Sequence, residues 1–390
     1  MTILLVPDSF KDSLTASEVV KYLQEGFEQI NPALQIQSYI ASDGGEGFLD
    51  AVQPYTNAEP VICDTQDPLG RLLKANYLIN SARDTAYIEL AKASGIELLD
   101  TKERNPMYTS TYGTGLQIKD AISRGATTIY VGLGGSATND AGIGMAAALG
   151  YTFLDKNDQV IAPQGQYLKD IASISLPNAP HEVSVIAIND VQNPLFGSQG
   201  AAHIYAQQKG ASDIEISQLD SGLKHLSKIV YRDLKVDFSE LPGAGAAGGT
   251  GYGLASFCGA RFTAGMQFVL GIAGIEEQLK LGAIDAIITG EGSIDDQTMH
   301  GKLVKGVSQM GNHYQVPVYG VCGISQLQRY TLKDLGLKRV FSVADLASST
   351  ADSFNNVIQY IKVITRLIYS DLYLMSFFAL VILAISIVRF

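Results

Sequence analysis

The chain has 390 residues, a formal net charge of −11 and a hydrophobic fraction of 46%. This length predicts two domains, and this hydrophobic content excludes an intrinsically disordered chain. Because nucleic-acid binding depends on a basic surface, the acidic balance excludes a bulk nucleic-acid-binding role. The cysteines, Cys63, Cys258 and Cys322, lie far apart without zinc-ligand spacing, so we expect free thiols in a cytoplasmic protein.

Strand and helix patterns alternate along most of the chain. A capping box at Thr15 and Glu18 predicts the start of the first long helix, which we expect to end near Ile30. The expected strands are residues 2–6, 34–40, 61–64, 75–79, 86–90, 128–131, 183–188, 283–288, 316–321 and 339–343. The other expected helices are residues 111–123, 140–149, 214–231, 265–281 and 298–312. This alternation predicts an α/β fold with parallel strands.

The region of residues 61–90 interrupts the alternation, because its strands follow one another without helices between them. We therefore expect one α/β domain of the Rossmann or flavodoxin-like kind, formed by residues 1–75 and 275–366. A second α/β domain, residues 76–274, is expected to be inserted into it. Ligand-binding loops in such folds follow the carboxyl ends of strands. The residues at such positions are Asp8, Asp43, Gly134, Asp190 and Glu291.

Residues 371–390 form a hydrophobic tail, in which the 17 residues 372–388 carry no charge. This length is at the lower limit for crossing a bilayer. Three interpretations stay open: a membrane anchor, a tail that packs on the protein body or on a partner chain, and an end that is not under selection for this fold, such as an altered reading frame. We expect membrane contact only through this tail.

The run from Thr289 to Lys302 combines glycines, several carboxylates, a helix start at Gln297 and Thr298, and a lysine, directly after an apolar strand. Glycines allow backbone N–H groups to approach a ligand closely, and a helix start offers unpaired N–H groups to an anion. Carboxylates can hold Mg²⁺, which accompanies phosphates in many enzymes. The combination predicts phosphoryl transfer, although an ordinary strand–turn–helix with a hydrophilic turn would show the same residues.

Two further segments are dense in glycine. Gly132 to Asp140 follow a predicted strand and open a helix-like segment. Gly243 to Gly251 contain a formal GxGxxG match, which would indicate a nicotinamide-dependent oxidoreductase, but no predicted strand precedes them and the glycines disfavour a helix there. A Walker A motif is absent, so a kinase of this sequence would not be a P-loop kinase. Lys209 could lie at a cleft, although a surface lysine is the simpler explanation.

Three more strand ends carry candidate residues, each of which would also fit a solvated turn. Asp190 is a candidate general base, because an alcohol nucleophile needs a positioned proton acceptor. The others are Asp8, Ser9 and Lys11 after the first strand, and Asp43, Gly44 and Gly45 after the second.

Together these residues resemble the bacterial glycerate kinases that are unrelated to P-loop kinases. The matching stretches keep the family order over about residues 1–345: Pro7 to Lys11, Asp43 to Gly47, Asp67 to Arg71, Tyr112 to Gly115, Gly132 to Asp140, Asp190 to Leu195, Gln208 to Ala211, Gly243 to Gly249 and Thr289 to Lys302. The resemblance implies ATP- and Mg²⁺-dependent phosphorylation of D-glycerate, usually to 2-phosphoglycerate. It also implies two α/β domains with the active site in the cleft between them. Ala141 stands where the family commonly has glycine.

The resemblance suggests roles for individual residues. Asp190 or Asp295 would accept the hydroxyl proton, and the lysines would face the phosphoryl group or the glycerate carboxylate. The expected catalytic residues are Asp190, Asp295, Lys302 and Lys11. The residues expected to bind ATP are Gly134, Gly135, Ser136, Thr138, Asn139, Gly290, Gly292, Gln297 and Thr298. The residues expected to bind the substrate are Asp8, Ser9, Asp43, Gly44, Gly45 and Arg71, and those expected to bind the metal are Glu291 and Asp43.

Two alternatives to the kinase stay open. The first is a nicotinamide-dependent oxidoreductase, and the second is a catalytically impaired, membrane-tethered protein that binds sugar acids. A homodimer is one option for the assembly.

Overall fold

A computed structural model describes residues 1–10, 13–40, 44–45, 47–178, 182–299 and 303–388, with side chains given as far as Leu374. The chain forms two compact units. The first consists of Met1–Ala41 and Ala273–Phe390, and the second of Ser42–Ile272. The expected domain boundary at residue 75 would divide the hairpin formed by residues 58–80. Both strands of this hairpin belong to the second unit.

The strands in the described residues are β1 (Thr2–Pro7), β2 (Gln35–Ser38), β3 (Ala58–Gln66), β4 (Leu72–Asn80), β5 (Thr85–Glu89), β6 (Thr128–Gly132), β7 (Thr152–Leu154), β8 (Ser173–Ser175), β9 (Ser184–Ile188), β10 (Arg261–Thr263), β11 (Ala286–Asp295), β12 (Val318–Gln326) and β13 (Arg339–Ser342).

The helices are α1 (Ala16–Ile30), α2 (Phe48–Val52), α3 (Ala91–Ser94), α4 (Tyr112–Ser123), α5 (Ile143–Ala148), α6 (Ala201–Tyr205), α7 (Asp213–Leu234), α8 (Ala246–Cys258), α9 (Gly265–Ile272), α10 (Ile275–Lys280), α11 (Leu303–His313), α12 (Leu332–Leu335), α13 (Thr350–Asn355) and α14 (Val357–Val388). Short 3-10 turns include Gln207–Lys209 and Asp296–Met299.

The first unit is built on a parallel sheet with the strand order β13-β12-β11-β1-β2. The predicted capping box is present, since Thr15 accepts a hydrogen bond from the Glu18 backbone and the Glu18 carboxylate bonds back to Thr15. Residues on one face of α1, including Val19, Leu23 and Phe27, join the buried core of this unit. The sheet thus forms around β1, which lies between β11 and β2.

The second unit is built on a mixed sheet with the strand order β10-β9-β6-β5-β4-β3. Strands β5, β6, β9 and β10 are parallel, while β3, β4 and β5 form an antiparallel meander. Alternate residues of β6 enter cores on opposite faces, with Ile129 and Val131 on one side and Tyr130 on the other. Both faces are therefore covered, as period-two packing of a buried parallel sheet requires. The α/β class is confirmed.

Strand β11 is longer than predicted. It continues through the segment that was expected to be a glycine loop, because β12 pairs with it as far as Asp295 opposite Gln326. The helix expected from residue 298 is described from Leu303 onward, and Asp296–Met299 is a 3-10 turn. Gly290 and Gly292 therefore lie in a strand rather than at the start of a helix.

The C-terminal helix α14 belongs to the first unit as far as its side chains are described. Ile361, Ile364, Ile368 and Leu372 are buried in the same core as β1 and α1. Asp371 accepts hydrogen bonds from Tyr319, Lys338 and Arg339, at 2.7, 2.7 and 2.9 Å. Among the residues whose side chains the structure describes, no helix is long and apolar enough to cross a membrane.

Candidate active site

Three parallel strands of the second unit, β5, β6 and β9, end at one edge of its sheet. The segment with Gly44 and Gly45 packs against this edge. A side chain at Gly134 would overlap the Cα atom of Gly45, so the glycine after β6 permits the two backbones to touch. The structure thus brings together the predicted residues Gly44, Gly45, Gly134, Gly135 and Ser136.

Asp140 holds the loop after β6 in place from inside the protein. Its carboxylate is fully buried and accepts hydrogen bonds from the backbone N–H and the hydroxyl of Thr111, both at 2.8 Å. The N–H groups of Gly142 and Gly144 bond to the same carboxylate at 3.2 Å. Burial raises the pKa of Asp140, and these hydrogen bonds act in the opposite direction. The bonds join the loop to the start of α4 and to α5.

The glycine run around Gly243 supports this loop. Ala247, Gly248 and Gly249 have left-handed backbone conformations at the start of α8. A side chain at Gly248 would overlap the carbonyl oxygen of Thr138, and the Ala141 N–H donates to the Gly248 carbonyl at 3.1 Å. The helix α8 begins within the run, although the glycines were expected to disfavour a helix there. The glycines allow α8 to approach residues 138–141 closely.

Lys209 is buried next to the same loop, although sequence reasoning favoured a surface position. Its side chain is 4% exposed, and its ammonium group donates to the Ser136 hydroxyl at 2.7 Å and to the Thr138 carbonyl at 2.8 Å. Burial lowers the pKa of Lys209 to about 7, and the negative charge of Asp140 partly opposes this. A lysine ammonium has three N–H donors, so one remains for a ligand. The signal for it in the sequence was the match of Gln208 to Ala211 to the family pattern.

A pocket of about 340 Å³ opens at this edge of the sheet. It is lined by Ile96, Leu133, Gly134, Gly135, Ser136, Val191, Tyr205, Gln208, Lys209 and Ala247. Behind it, Thr138 and Asn139 are fully buried, and within the described residues the Thr138 hydroxyl and the Asn139 carboxamide have no hydrogen-bond partner. Such groups are rare in native proteins and are commonly satisfied by a ligand or a water.

Asp190 lies at the same edge, two residues after the end of β9 and directly before Val191, which lines the pocket. Its side chain is half-buried. At the end of β5, which is separated from β9 by β6, the buried carboxylate of Glu89 accepts hydrogen bonds from the N–H groups of Gly47 and Leu49, at 3.3 and 3.2 Å. This bond fixes the start of α2 beside the sheet edge.

The first unit carries the other group of predicted residues. The Asp8 N–H donates to the Gly290 carbonyl at 2.8 Å, so the end of β1 lies beside β11. The Thr298 hydroxyl donates to Glu291 at 2.8 Å, and the Asp295 N–H donates to that hydroxyl at 3.0 Å. Asp295 in turn accepts hydrogen bonds from the Gln297 N–H at 2.8 Å and from the Ser293 hydroxyl at 3.1 Å. Ser9 donates its N–H to the Asp8 carboxylate at 2.6 Å.

Glu291 is the described residue best suited to a divalent cation. Burial raises its pKa, the Thr298 hydrogen bond lowers it, and the charges of Asp8 and Asp295 raise it further. A cation would relieve this excess of negative charge. Within the described residues no group of three or more histidine, cysteine, aspartate or glutamate side chains is arranged to hold a metal. Mg²⁺ beside phosphates needs only one or two carboxylates, so Glu291 and Asp8 fit that lesser requirement.

Arg71 does not line the pocket with Lys209. Its guanidinium group binds the carboxylates of Asp67 and Glu103, the latter at 2.7 Å, and stabilises the turn between β3 and β4. Lys11, Asp43 and Lys302, which were expected to take part in catalysis or in binding substrate and metal, lie outside the described residues.

Parallel sheets with glycines, carboxylates and a buried lysine at their carboxyl edges define an α/β enzyme that acts on small anionic ligands. Comparison with known proteins gives the particular family. The model of the glycerate kinase family matches residues 3–372, and the chain belongs to this family, whose members are kinases that act on an alcohol group.

Individual relatives agree with this assignment. The chain is 39% identical to a glycerate kinase of Halalkalibacterium halodurans over 83% of this chain and 85% of that protein. It is 38% identical to the glycerate 2-kinase of Escherichia coli K12 over 91% of this chain and 93% of that protein. The crystal structure of glycerate kinase 2 from Salmonella typhimurium LT2 is similar with a TM-score of 0.79 and 36% identity, covering 96% of this chain and 99% of that chain. The nicotinamide alternative is not supported, since Gly243 to Gly249 support the loop after β6.

Proposed function

We propose that this protein transfers the terminal phosphoryl group of ATP to D-glycerate, with Mg²⁺ and with 2-phosphoglycerate as the product. Family membership supports the reaction, and the name of the Escherichia coli relative supports the position. The structural observation that carries the proposal is the buried Lys209 beside Ser136, in a pocket that fits a small anion. A carboxylate bound there would neutralise the charge of the buried ammonium group and accept a hydrogen bond from its remaining N–H group.

The residues of the second unit would bind and orient the acceptor. Lys209 would donate to the glycerate carboxylate, and the loop with Gly134, Gly135 and Ser136 would donate to anionic oxygen atoms of the reactants. Thr138 and Asn139, which are fully buried behind the pocket, would support its polar wall from inside. Asp190, which precedes the lining residue Val191, would accept the proton of the reacting hydroxyl group. Asp295 is a weaker candidate for this role, because its two carboxylate oxygens already hold the turn at residues 293–298.

The residues of the first unit would serve the phosphate side. Glu291, with Asp8 beside it, would hold Mg²⁺, which offsets the negative charge on the phosphate oxygens. Gly290 and Gly292 would keep this part of β11 free of side chains, and Thr298 and Gln297 would fix the carboxylates. Phosphoryl transfer asks a protein mainly for positioning and for charge stabilisation, which these groups supply. For Lys11, Lys302, Asp43 and Arg71 the roles stay predictions, as does the position of the site between the domains.

The test is an assay of full-length protein with Mg-ATP and D-glycerate. We expect ADP release that depends on glycerate, with 2-phosphoglycerate identified by NMR. Glycerol, which lacks the carboxylate, should not be phosphorylated at a comparable rate. Asp190→Asn should lower kcat about 100-fold or more, while Lys209→Met should mainly raise the KM for glycerate. A folded wild-type protein without glycerate-dependent ADP release would exclude the proposal.

A further inference from the structure

A second pocket, of about 410 Å³, lies in the first unit, and Gly292 is the predicted site residue in its wall. It opens at the carboxyl ends of β11, β12 and β13, where Gly292, Gly323 and Val343 form part of its wall. Phe10, which follows β1, forms another part. Its volume is within the range of small-molecule sites.

The position of this pocket in the sheet is that of a ligand site. The chain passes from β1 to β2 on one side and later returns to β11 on the other side of β1. The order of the strands therefore reverses between β1 and β11, and open α/β sheets bind ligands in the crevice at this reversal. Phe10 and Gly292 come from the two sides of it. The pocket therefore meets a topological criterion that does not depend on its size.

The chemistry of the described lining fits an uncharged, flat and partly polar group. Val343, Ala347 and Phe354 contribute apolar surface, and the Phe354 ring is 51% exposed and open to stacking. Ser348 and Ser353 contribute hydroxyl-bearing side chains. No charged side chain is among the lining residues that the structure describes. Phosphate groups would lack a counter-charge from these side chains, whereas a purine ring with its ribose needs none.

A carboxylate suited to a divalent cation lies directly beside the pocket. Gly292, which lines it, follows Glu291 in β11. Among the described residues, neither Glu291 nor Asp295 forms a salt bridge. A cation at Glu291 would bind the phosphate oxygens of the same molecule. We infer that this pocket binds the adenosine part of ATP, an inference that rests on the proposed function.

Ala347→Phe tests the inference, because Ala347 is half-buried at the pocket wall and a ring there would fill the space. Leu346→Phe is the matched control, since Leu346 is the chain neighbour, is 38% exposed and does not line the pocket. Binding of Mg-ADP is measured by calorimetry on the full-length protein. We expect at least a 20-fold higher Kd for Ala347→Phe and an unchanged Kd for Leu346→Phe.

Two partial ligands separate the base from the phosphates. Adenosine should compete with ATP in the wild-type protein and lose this effect in Ala347→Phe. Tripolyphosphate should inhibit both proteins equally, because its binding would not involve the pocket. If Ala347→Phe does not fold, Phe354→Ala replaces it, since this side chain is half-exposed, and a five- to ten-fold higher Kd for Mg-ADP is expected.

The outcomes distinguish this inference from the proposed function. A folded Ala347→Phe protein that binds Mg-ADP as tightly as the wild type overturns the inference, as does an equal loss in Leu346→Phe. A different outcome would separate the two: the wild-type protein shows no glycerate-dependent turnover, but it binds Mg-ADP and adenosine, and only Ala347→Phe loses this binding. In that case the proposed function fails and the nucleoside site stands.

Discussion

The buried Lys209 predicts that the protein takes up a proton when it binds glycerate. Because its pKa is about 7 in the free protein, about half of the molecules carry an uncharged lysine at pH 7 and about nine in ten at pH 8. A carboxylate at about 4 Å interacts with the ammonium group by about 4 kcal/mol at an effective dielectric constant of 20, which would move the pKa by about three. Binding of glycerate should therefore restore the charge.

The size of the effect follows from these values. If the pKa of Lys209 is higher by two or more in the complex than in the free protein, each bound glycerate brings an uptake of roughly 0.1 proton at pH 6, 0.5 proton at pH 7 and 0.8 proton at pH 8. The apparent affinity for glycerate is then constant below pH 7 and falls as the pH rises above 7. Below pH 7 the lysine is already charged, so binding requires no additional proton.

Calorimetric titrations with D-glycerate in two buffers of different ionisation enthalpy measure this uptake. The observed binding enthalpy should depend on the buffer at pH 8 and hardly at all at pH 6. Lys209→Met should abolish the buffer dependence, whereas Lys224→Met, at an exposed lysine of the same unit, should keep it. Glycerate binding that is independent of the buffer at pH 8 in the wild-type protein would refute the reasoning.

Three further changes have distinct expected outcomes. Gly134→Ala would displace the Gly45 backbone and should lower kcat/KM at least 100-fold, whereas Gly271→Ala, with no atom within 4 Å of the added methyl group, should leave it unchanged in the same assay. Glu291→Gln should raise the Mg²⁺ concentration for half-maximal rate at least tenfold. The folded-state pKa of Glu291 is raised from 4.5, so the stability that its protonated form supplies is complete below pH 4.5 and is lost as the pH rises through the folded-state pKa. Denaturant titrations should therefore find Glu291→Gln more stable than the wild type at pH 7 and equally stable below pH 4.5. Burial opposes ionisation of Asp371, but its hydrogen bonds with Lys338, Tyr319 and Arg339 lower its pKa to about 2. Its contribution to folding stability is therefore present above pH 3.8 and is lost as the pH falls through 2. Asp371→Asn should reduce the free energy of unfolding by about 1–2 kcal/mol at pH 7, and equal stability of the two proteins at that pH would contradict this role.

Local signals predicted most of the elements because their causes are local. The capping box at Thr15 satisfies donors within one turn, and the apolar strands of residues 128–131 and 183–188 are recognisable from their own composition. The extent of β11 could not be predicted in this way. Its glycines and carboxylates indicate a turn, and only the pairing with β12, whose residues lie about 30 positions later in the sequence, makes the segment a strand.

The candidate site likewise contains some features that local sequence predicts and others that depend on long-range contacts. The glycine and aspartate residues at the strand ends stand out in the sequence, because parallel strands place them at one edge. The burial of Lys209 does not, because it depends on Ser136 and Thr138, which lie more than 70 residues earlier in the chain. The packing of Gly248 on Thr138 has the same long-range character, so the glycine run could be mistaken for a dinucleotide fingerprint. Apart from Gly292, the nucleoside pocket carries no residue of a recognisable motif, since the rest of its wall consists mainly of common apolar and hydroxyl residues.

The pairing of β1 with β11 constrains the order in which the two units can fold during translation. Ile3 pairs with Ala286, so the N-terminal strand has no neighbour on that side until most of the polypeptide has left the ribosome. The second unit is encoded by one uninterrupted stretch, Ser42–Ile272, and can complete its own core during translation. The first unit must wait for its C-terminal half, and the emerging β1 and α1 stay exposed to chaperones meanwhile. A slow codon cluster after residue 272 would therefore favour correct assembly of the second unit before β11 arrives to close the first.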